Sequence, residues 1–202
     1  MSSSNLLRWG GLAALVSGVA SVMGDLLRLF VDVKSAESAT TPSYALVFWM
    51  YLIGAVLLMI GLVCLYVSQS EEAGVLGLMA FLTAFSGTVL LAGTLWFELF
   101  ITPALAVEAP RLAEAELGLV GFVLSFLLVV LGWFLFGVAT LRARLYPRWA
   151  AVLLMVGVIV SFFPVPLSGL IFSIAVSWMG FVLFTSTGTA VRQPSRMGQA
   201  NA

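Results

Sequence analysis

Apolar residues dominate the chain in long runs, and short polar stretches separate these runs. A membrane-spanning helix needs about 20 mainly apolar residues, and the first four runs meet that length. The last run is too long for one helix and contains Pro164-Val165-Pro166, where two prolines remove backbone donors and disfavour helix before them. The pattern therefore predicts an all-α transmembrane helical bundle with six spans, at about residues 6–31, 44–67, 73–101, 117–141, 148–164 and 167–187.

The distribution of basic residues sets the orientation of these spans. With six spans, Arg28, Lys34 and Arg111 fall on one side, and a larger group of arginines falls on the side of both termini. Basic residues accumulate on the cytoplasmic side of a bilayer, so we predict that both termini are cytoplasmic. Residues 1–190 form one transmembrane domain, and the polar residues 191–202 form a disordered cytoplasmic tail. The larger group is Arg8, Arg142, Arg144, Arg148, Arg192 and Arg196.

One polar stripe interrupts the first apolar run. Its five members follow one another at steps of three or four residues, so a helix places them on one face. They are Ser17, Ser21, Asp25, Arg28 and Asp32. Charge inside an apolar segment is costly and requires a partner, water or a function. In the predicted orientation, Asp25 and Arg28 lie near the outer end of the first span, and Asp32 lies in solvent.

The third span carries a second polar face at a similar depth. Glu98 lies near its outer end, and Thr94 precedes Glu98 by one helical turn. Arg28 is placed to serve both Asp25 on its own helix and Glu98 across the bundle. One interpretation is an outward-facing polar cleft between the first and third spans, lined also by Ser21 and Thr94, that binds a small polar solute or relays protons. The other is an inter-helix ion pair that fixes two helices, or an arginine that snorkels to the headgroups.

Small residues mark predicted helix contacts, because they allow close approach of helix backbones in lipid. Four of them share roughly one face of the fourth span, and three share a face of the sixth. These are Gly118, Gly121, Ser125 and Gly132, and Ser173, Ser177 and Gly180. Outside the third span, Thr102-Pro103 is typical of a helix start and predicts a short interfacial helix.

Composition restricts the available chemistry. Hydrophobic residues make up 62% of the chain and charged residues 9%, against about 45–50% and about 25% in soluble domains, so the predicted solvent is a lipid bilayer. A net charge of zero argues against nucleic acid as a partner. The chain has no His and one Cys, Cys64, which removes the commonest ligand of zinc, copper and haem and the base of Ser–His hydrolases. We predict no catalytic residues, no metal site and no cofactor, with Cys64 as a buried apolar residue.

Three classes of function compete on this evidence. The leading one is a non-catalytic accessory or assembly subunit, whose partner is another membrane protein or a second copy of the chain. The alternative is a small transporter or solute-binding membrane protein built on the predicted cleft. The third is an intramembrane enzyme, but aspartyl chemistry needs two carboxylates close together. Arg28 between Asp25 and Glu98 would hold both ionised rather than let them share a proton.

Three short motifs carry a resemblance. Arg8-Trp9-Gly10-Gly11-Leu12-Ala13-Ala14 opens the first span, and Pro147-Arg148-Trp149 precedes the fifth. Residues 96–110 form an aromatic and acidic helix end that meets a Pro-Ala-Leu-Ala run. With these motifs, the chain resembles several uncharacterised bacterial families of small six-helix integral membrane proteins. The resemblance implies a six-helix fold in a bacterial inner membrane, and it implies no activity.

Overall fold

The computed structural model describes residues 3–33, 35, 37–109, 119–163 and 167–190, and the regular elements within these ranges are all helical. This confirms the predicted all-α fold class. The predicted tail and Pro164-Val165-Pro166 lie outside the described residues. The elements are α1 (Ser3–Leu27), a 3-10 turn (Ser38–Thr40), α2 (Pro42–Val67), α3 (Ser70–Phe100), α4 (Thr102–Glu108), α5 (Leu119–Ala143), α6 (Arg148–Val160) and α7 (Leu170–Ala190).

Four helices are long and apolar enough to cross a membrane: α1, α2, α3 and α5. Two shorter apolar helices follow, α6 with 13 residues and the stretch Leu170–Ser186 of α7. The first helix ends at Leu27, and a turn replaces the last residues of the predicted 6–31 segment. Likewise α6 ends at Val160, ahead of the predicted limit at 164.

Six of the helices form a closed ring. Each of α1, α2, α3, α5 and α6 packs against the next of these helices along the chain, and α7 returns to pack against α1. Close glycine contacts show that α1 and α7 are antiparallel, because Gly11 lies against Gly180 while Gly169 lies against Asp25. In the same way Gly87 of α3 faces Val129 of α5. The short helix α4, predicted from Thr102-Pro103, is present and packs on α3 and on the 3-10 turn.

The interior of the ring is filled with large side chains. Those with no solvent exposure include Leu62, Leu65, Trp133, Phe136, Leu154 and Met179, from α2, α5, α6 and α7. The indole N–H of Trp133 is not left unpaired, because it donates to Thr88 Oγ1 of α3 at 3.2 Å. The sole cysteine, Cys64, is buried, as predicted.

The small residues on α7 contact another helix as predicted. A β-carbon on Gly180 would lie 2.5 Å from the backbone nitrogen of Leu15, and Ser177 donates to the Leu15 carbonyl at 3.3 Å. On α5 the prediction is right for Gly132, which lies against Ala84 of α3. At Gly121 a β-carbon would meet nothing within 4 Å among the described residues, so no helix contact is seen there in this part of the chain. Gly118 lies outside the described residues.

Candidate functional site

The polar stripe on α1 faces α2. Ser17 is buried, and its hydroxyl donates to the carbonyl of Gly54 at 2.8 Å. Ser21, one turn further along α1, lies beside the same glycine, since a β-carbon on Gly54 would lie 2.9 Å from Ser21 Oγ. The absence of a side chain at Gly54 therefore lets two serines of α1 approach the backbone of α2.

Asp25 continues this contact one turn beyond Ser21. The hydroxyl of Tyr51 on α2 donates to Asp25 Oδ1 at 2.6 Å. The tyrosine ring lies against Gly24, where a β-carbon would approach Tyr51 Cε1 to 2.9 Å. Gly24 thus provides the space for the ring, and the ring directs its hydroxyl to the carboxylate on the next residue.

The second oxygen of the same carboxylate points to the last helix. A β-carbon on Gly169 would lie 2.9 Å from Asp25 Oδ2. Gly169 precedes the first residue of α7, and its carbonyl accepts from the N–H of Ser173 at 3.0 Å, as an N-cap residue does. A carboxylate at the N-terminus of a helix is favoured by the helix dipole. Asp25 therefore joins α1, α2 and the beginning of α7.

Arg28 is exposed at the end of this arrangement, just beyond α1. Its guanidinium group interacts electrostatically with Asp25 and with the Tyr51 hydroxyl. Asp32, the last member of the stripe, is exposed in the segment that follows α1. The charged end of the stripe therefore opens to the surface, while its serines are packed between helices.

Glu98 has a separate set of partners. The hydroxyl of Tyr44 donates to Glu98 Oε2 at 2.7 Å, and that of Thr102, the first residue of α4, donates to the same oxygen at 3.0 Å. Tyr44 is almost fully buried, at 2% exposure. The carboxylate therefore fixes the start of α2 to the joint between α3 and α4.

The sequence predicts that Asp25, Arg28 and Glu98 meet between the first and third helices. The structure brings Arg28 to Asp25, and Glu98 accepts from Tyr44 of α2 and from Thr102. In the described contacts, α2 packs against both α1 and α3 and supplies a tyrosine to each acid. The hydroxyl of Thr94 donates to the Leu90 carbonyl of its own helix at 3.2 Å. In the ring of helices, α2 lies between α1 and α3, so the stripe on α1 faces α2.

Sequence reasoning missed the two tyrosines as partners of the acids. Tyr44 and Tyr51 are seven residues apart, a spacing that puts two side chains on one face of a helix. They are the polar groups of that face in a strongly apolar segment. A phenol buried in an apolar environment needs a hydrogen-bond partner. This pair of tyrosines therefore indicated that α2 would supply a hydrogen-bond donor to Asp25.

The arrangement joins helices through two separate bonds. Each acid accepts from its own tyrosine of α2. The chain matches no protein-family model, no curated protein and no solved structure. Any conclusion on function therefore depends on the geometry of these contacts.

Proposed function

We propose that the protein is a six-span integral membrane protein of a bacterial inner membrane, with both termini cytoplasmic, and that it serves as a non-catalytic accessory or assembly subunit. Four helices meet the length and composition of membrane spans. In the closed ring the two shorter helices pack against their neighbours as the longer ones do, and α7 is antiparallel to α1. The proposal extends the membrane assignment from four helices to six.

The pairing of α7 with α1 is the main support for six spans. Gly180 lies against Gly11 near one end of α1, and Gly169 lies against Asp25 near the other. The interval from Gly11 to Asp25 covers about 21 Å at 1.5 Å per residue. A helix that follows α1 over this distance crosses most of a hydrocarbon core of about 30 Å. Helix α6 precedes α7 in the chain and packs against it, with Gly157 of α6 lying against Phe172 of α7.

The main observation in support of an accessory role is that the polar groups of the stripe form hydrogen bonds between helices. Ser17 bonds the α2 backbone and Asp25 bonds Tyr51. On the other side of α2, Glu98 bonds Tyr44. Polar groups committed in this way stabilise one arrangement of helices, which is what a scaffold or assembly partner needs.

Accessibility of single cysteines tests the topology, because Cys64 is the only native thiol. In a Cys64→Ala background, a membrane-impermeant maleimide should label Ser35→Cys, Glu108→Cys and Ser168→Cys in intact cells. It should label Glu72→Cys and Arg144→Cys only after permeabilisation. Protection of Ser168→Cys in intact cells would refute a crossing by α6 and α7, and the reverse pattern at Glu72 and Arg144 would refute the orientation.

A solute-binding or transport function is the second candidate, favoured by the exposed guanidinium of Arg28 beside the Asp25–Tyr51 bond. Under this alternative the site lies between α1, α2 and the start of α7. Thermal unfolding of the purified protein with a panel of amino acids and small organic acids discriminates the two. Stabilisation by one compound that disappears in Asp25→Asn but persists in Glu98→Gln would establish the alternative and displace the accessory role.

The accessory role predicts that function does not depend on the charge of Asp25. In cells that lack this chain, a membrane complex that co-purifies with it in mild detergent should lose assembly. Expression of Asp25→Asn, with its fold verified, should restore that assembly, because the variant retains an oxygen that accepts from Tyr51. A chain that purifies alone, binds none of the panel and leaves complexes of the membrane unchanged would refute the accessory role.

A further inference from the structure

The corner between α5 and α6 presents three exposed arginines without an acidic partner. Arg142 lies in the last turn of α5, Arg144 follows its last residue, and Arg148 begins α6. No ion pair joins any of them to a carboxylate in the described part of the chain. Two acids at the α2–α3 turn, Glu71 and Glu72, are exposed at the same end of the bundle and also lack such a pair. The corner therefore presents three exposed cations that form no ion pair in the described part of the chain.

The backbone of this corner is fixed. Tyr146 is buried, and its hydroxyl lies 2.7 Å from Ser68 Oγ at the end of α2. Because the Ser68 hydroxyl donates to the Leu65 carbonyl at 2.8 Å, the phenol is the donor in the bond between them. Burial raises the pKa of Tyr146 to about 12, so it stays protonated as a donor at physiological pH. The exposed residues on either side of Tyr146 are therefore held in place.

Two of the arginines occupy positions that the fold alone does not favour. Arg144 has a left-handed backbone, with φ of 57°, at the position after a helix where glycine is usual. Arg148 places a cation at the N-terminus of α6, where the helix dipole favours an anion. The dipole favours Arg142 at the C-terminal turn of α5 and disfavours Arg148 at the start of α6. An anion bound beside Arg148 would offset that unfavourable interaction.

Apolar side chains flank the same arginines. Leu145 is 48% exposed and Trp149 is 73% exposed. A tryptophan of this kind is typical of the membrane–water interface, and so is an arginine beside it. Free phosphate would not need these apolar neighbours, whereas a lipid brings acyl chains to contact them.

We propose that the α5–α6 corner binds the phosphate headgroup of an anionic phospholipid through Arg144 and Arg148, with Arg142 adding to the local charge and Trp149 contacting the acyl chains. The inference rests on the proposed six-span arrangement only in that the corner must meet the membrane surface. Each basic residue near an anionic surface contributes about a fivefold increase in lipid affinity.

Native mass spectrometry of the purified full chain in mild detergent tests this proposal. We expect dioleoylphosphatidylglycerol to bind more tightly than dioleoylphosphatidylcholine, which has the same acyl chains. Arg148→Gln should lower the affinity for phosphatidylglycerol about fivefold, and Arg144→Gln/Arg148→Gln should abolish the preference. Arg144→Lys/Arg148→Lys should retain most of it. Arg8→Gln is the matched control, since Arg8 is an exposed arginine near the same end whose guanidinium already lies 4.8 Å from the Phe184 ring centre.

Each outcome decides the proposal. Equal binding of the two lipids by the unmodified protein, an unchanged preference in the double glutamine variant, or an equal loss in Arg8→Gln would overturn it. Competition by inorganic phosphate or glycerol 3-phosphate as effective as that by the lipid would make the corner a soluble phosphate site instead. Maleimide labelling of buried Cys64 reports the fold of every variant. A protein that binds neither lipid and does not enter membranes would refute the six-span proposal rather than the headgroup site alone.

Discussion

Two carboxylates of this protein accept from tyrosines of the same helix, but their surroundings differ. Tyr51 donates to Asp25, which also lies against Gly169 at the start of α7. Tyr44 donates to Glu98, which has a second donor in Thr102, four residues away along the chain. The Asp25 carboxylate lies where α1, α2 and the start of α7 meet, so it contacts elements from both ends of the chain. The Glu98 carboxylate lies at the joint between α3 and α4 and contacts the start of α2.

This difference indicates where the loss of one hydroxyl donor should cost more stability. Loss of the Tyr51 hydroxyl leaves Asp25 without a hydroxyl donor, with the exposed Arg28 as its remaining cationic partner, at a place where three helices meet. Loss of the Tyr44 hydroxyl leaves Glu98 with Thr102. A buried group left without a partner costs about 1–3 kcal/mol, whereas a group with a remaining donor loses less. The same tyrosine–carboxylate hydrogen bond is therefore expected to contribute more to the free energy of unfolding at Asp25 than at Glu98.

The largest expected effect comes from filling the space beneath Tyr51. In Gly24→Val, the new side chain would displace the tyrosine ring and with it the bond to Asp25. Over-packing of this kind costs about 2–3 kcal/mol. The measurement is the free energy of unfolding in mixed micelles of SDS and dodecyl maltoside, followed by labelling of the buried thiol of Cys64.

The matched control is Gly93→Val on α3. A β-carbon at Gly93 meets nothing within 4 Å among the described atoms, so this variant should unfold within about 0.5 kcal/mol of the unmodified protein. Equal losses at Gly24 and Gly93 would mean that the Tyr51 position has no special role.

Double-mutant cycles measure the two bonds directly. The cycle of Asp25→Ala with Tyr51→Phe should give a coupling energy of about 1.5 kcal/mol, near the upper end for hydrogen bonds between membrane helices. The cycle of Glu98→Ala with Tyr44→Phe should give about 0.5 kcal/mol, because Thr102 continues to donate to the glutamate in Tyr44→Phe. Couplings of the same size, or a reversed order, would contradict the comparison.

The sequence predicted part of this arrangement for a clear physical reason. The helical spacing of Ser17, Ser21 and Asp25 places them on one face of α1. All three are found on the side of α1 that faces α2. The period does not reveal which helix the face meets, since that depends on the order of helices around the ring. The same limit explains why the pattern did not indicate Tyr44 as a partner of Glu98.

Helix ends were also only partly predictable. Runs of apolar residues mark where a helix can form in lipid, but they do not mark a turn made of apolar residues. Leu29, Phe30 and Phe163 all lie in non-helical segments after helices that the apolar pattern extended too far. By contrast, α4 was predicted correctly because Thr102-Pro103 carries a local signal, with proline at the first turn.

The smallest expected effect would sharpen the comparison most. Thr102→Val keeps the shape of the side chain and removes the second donor to Glu98, so the free energy of unfolding should fall by only about 0.5 kcal/mol. In that background Tyr44 remains as the tyrosine donor to the carboxylate. The coupling between Glu98 and Tyr44 should therefore rise from about 0.5 to about 1 kcal/mol, toward the value for Asp25 and Tyr51. An unchanged coupling energy would show that Thr102 does not substitute for Tyr44 as a donor to Glu98. The difference between the two acids would then originate at Gly169 and the start of α7.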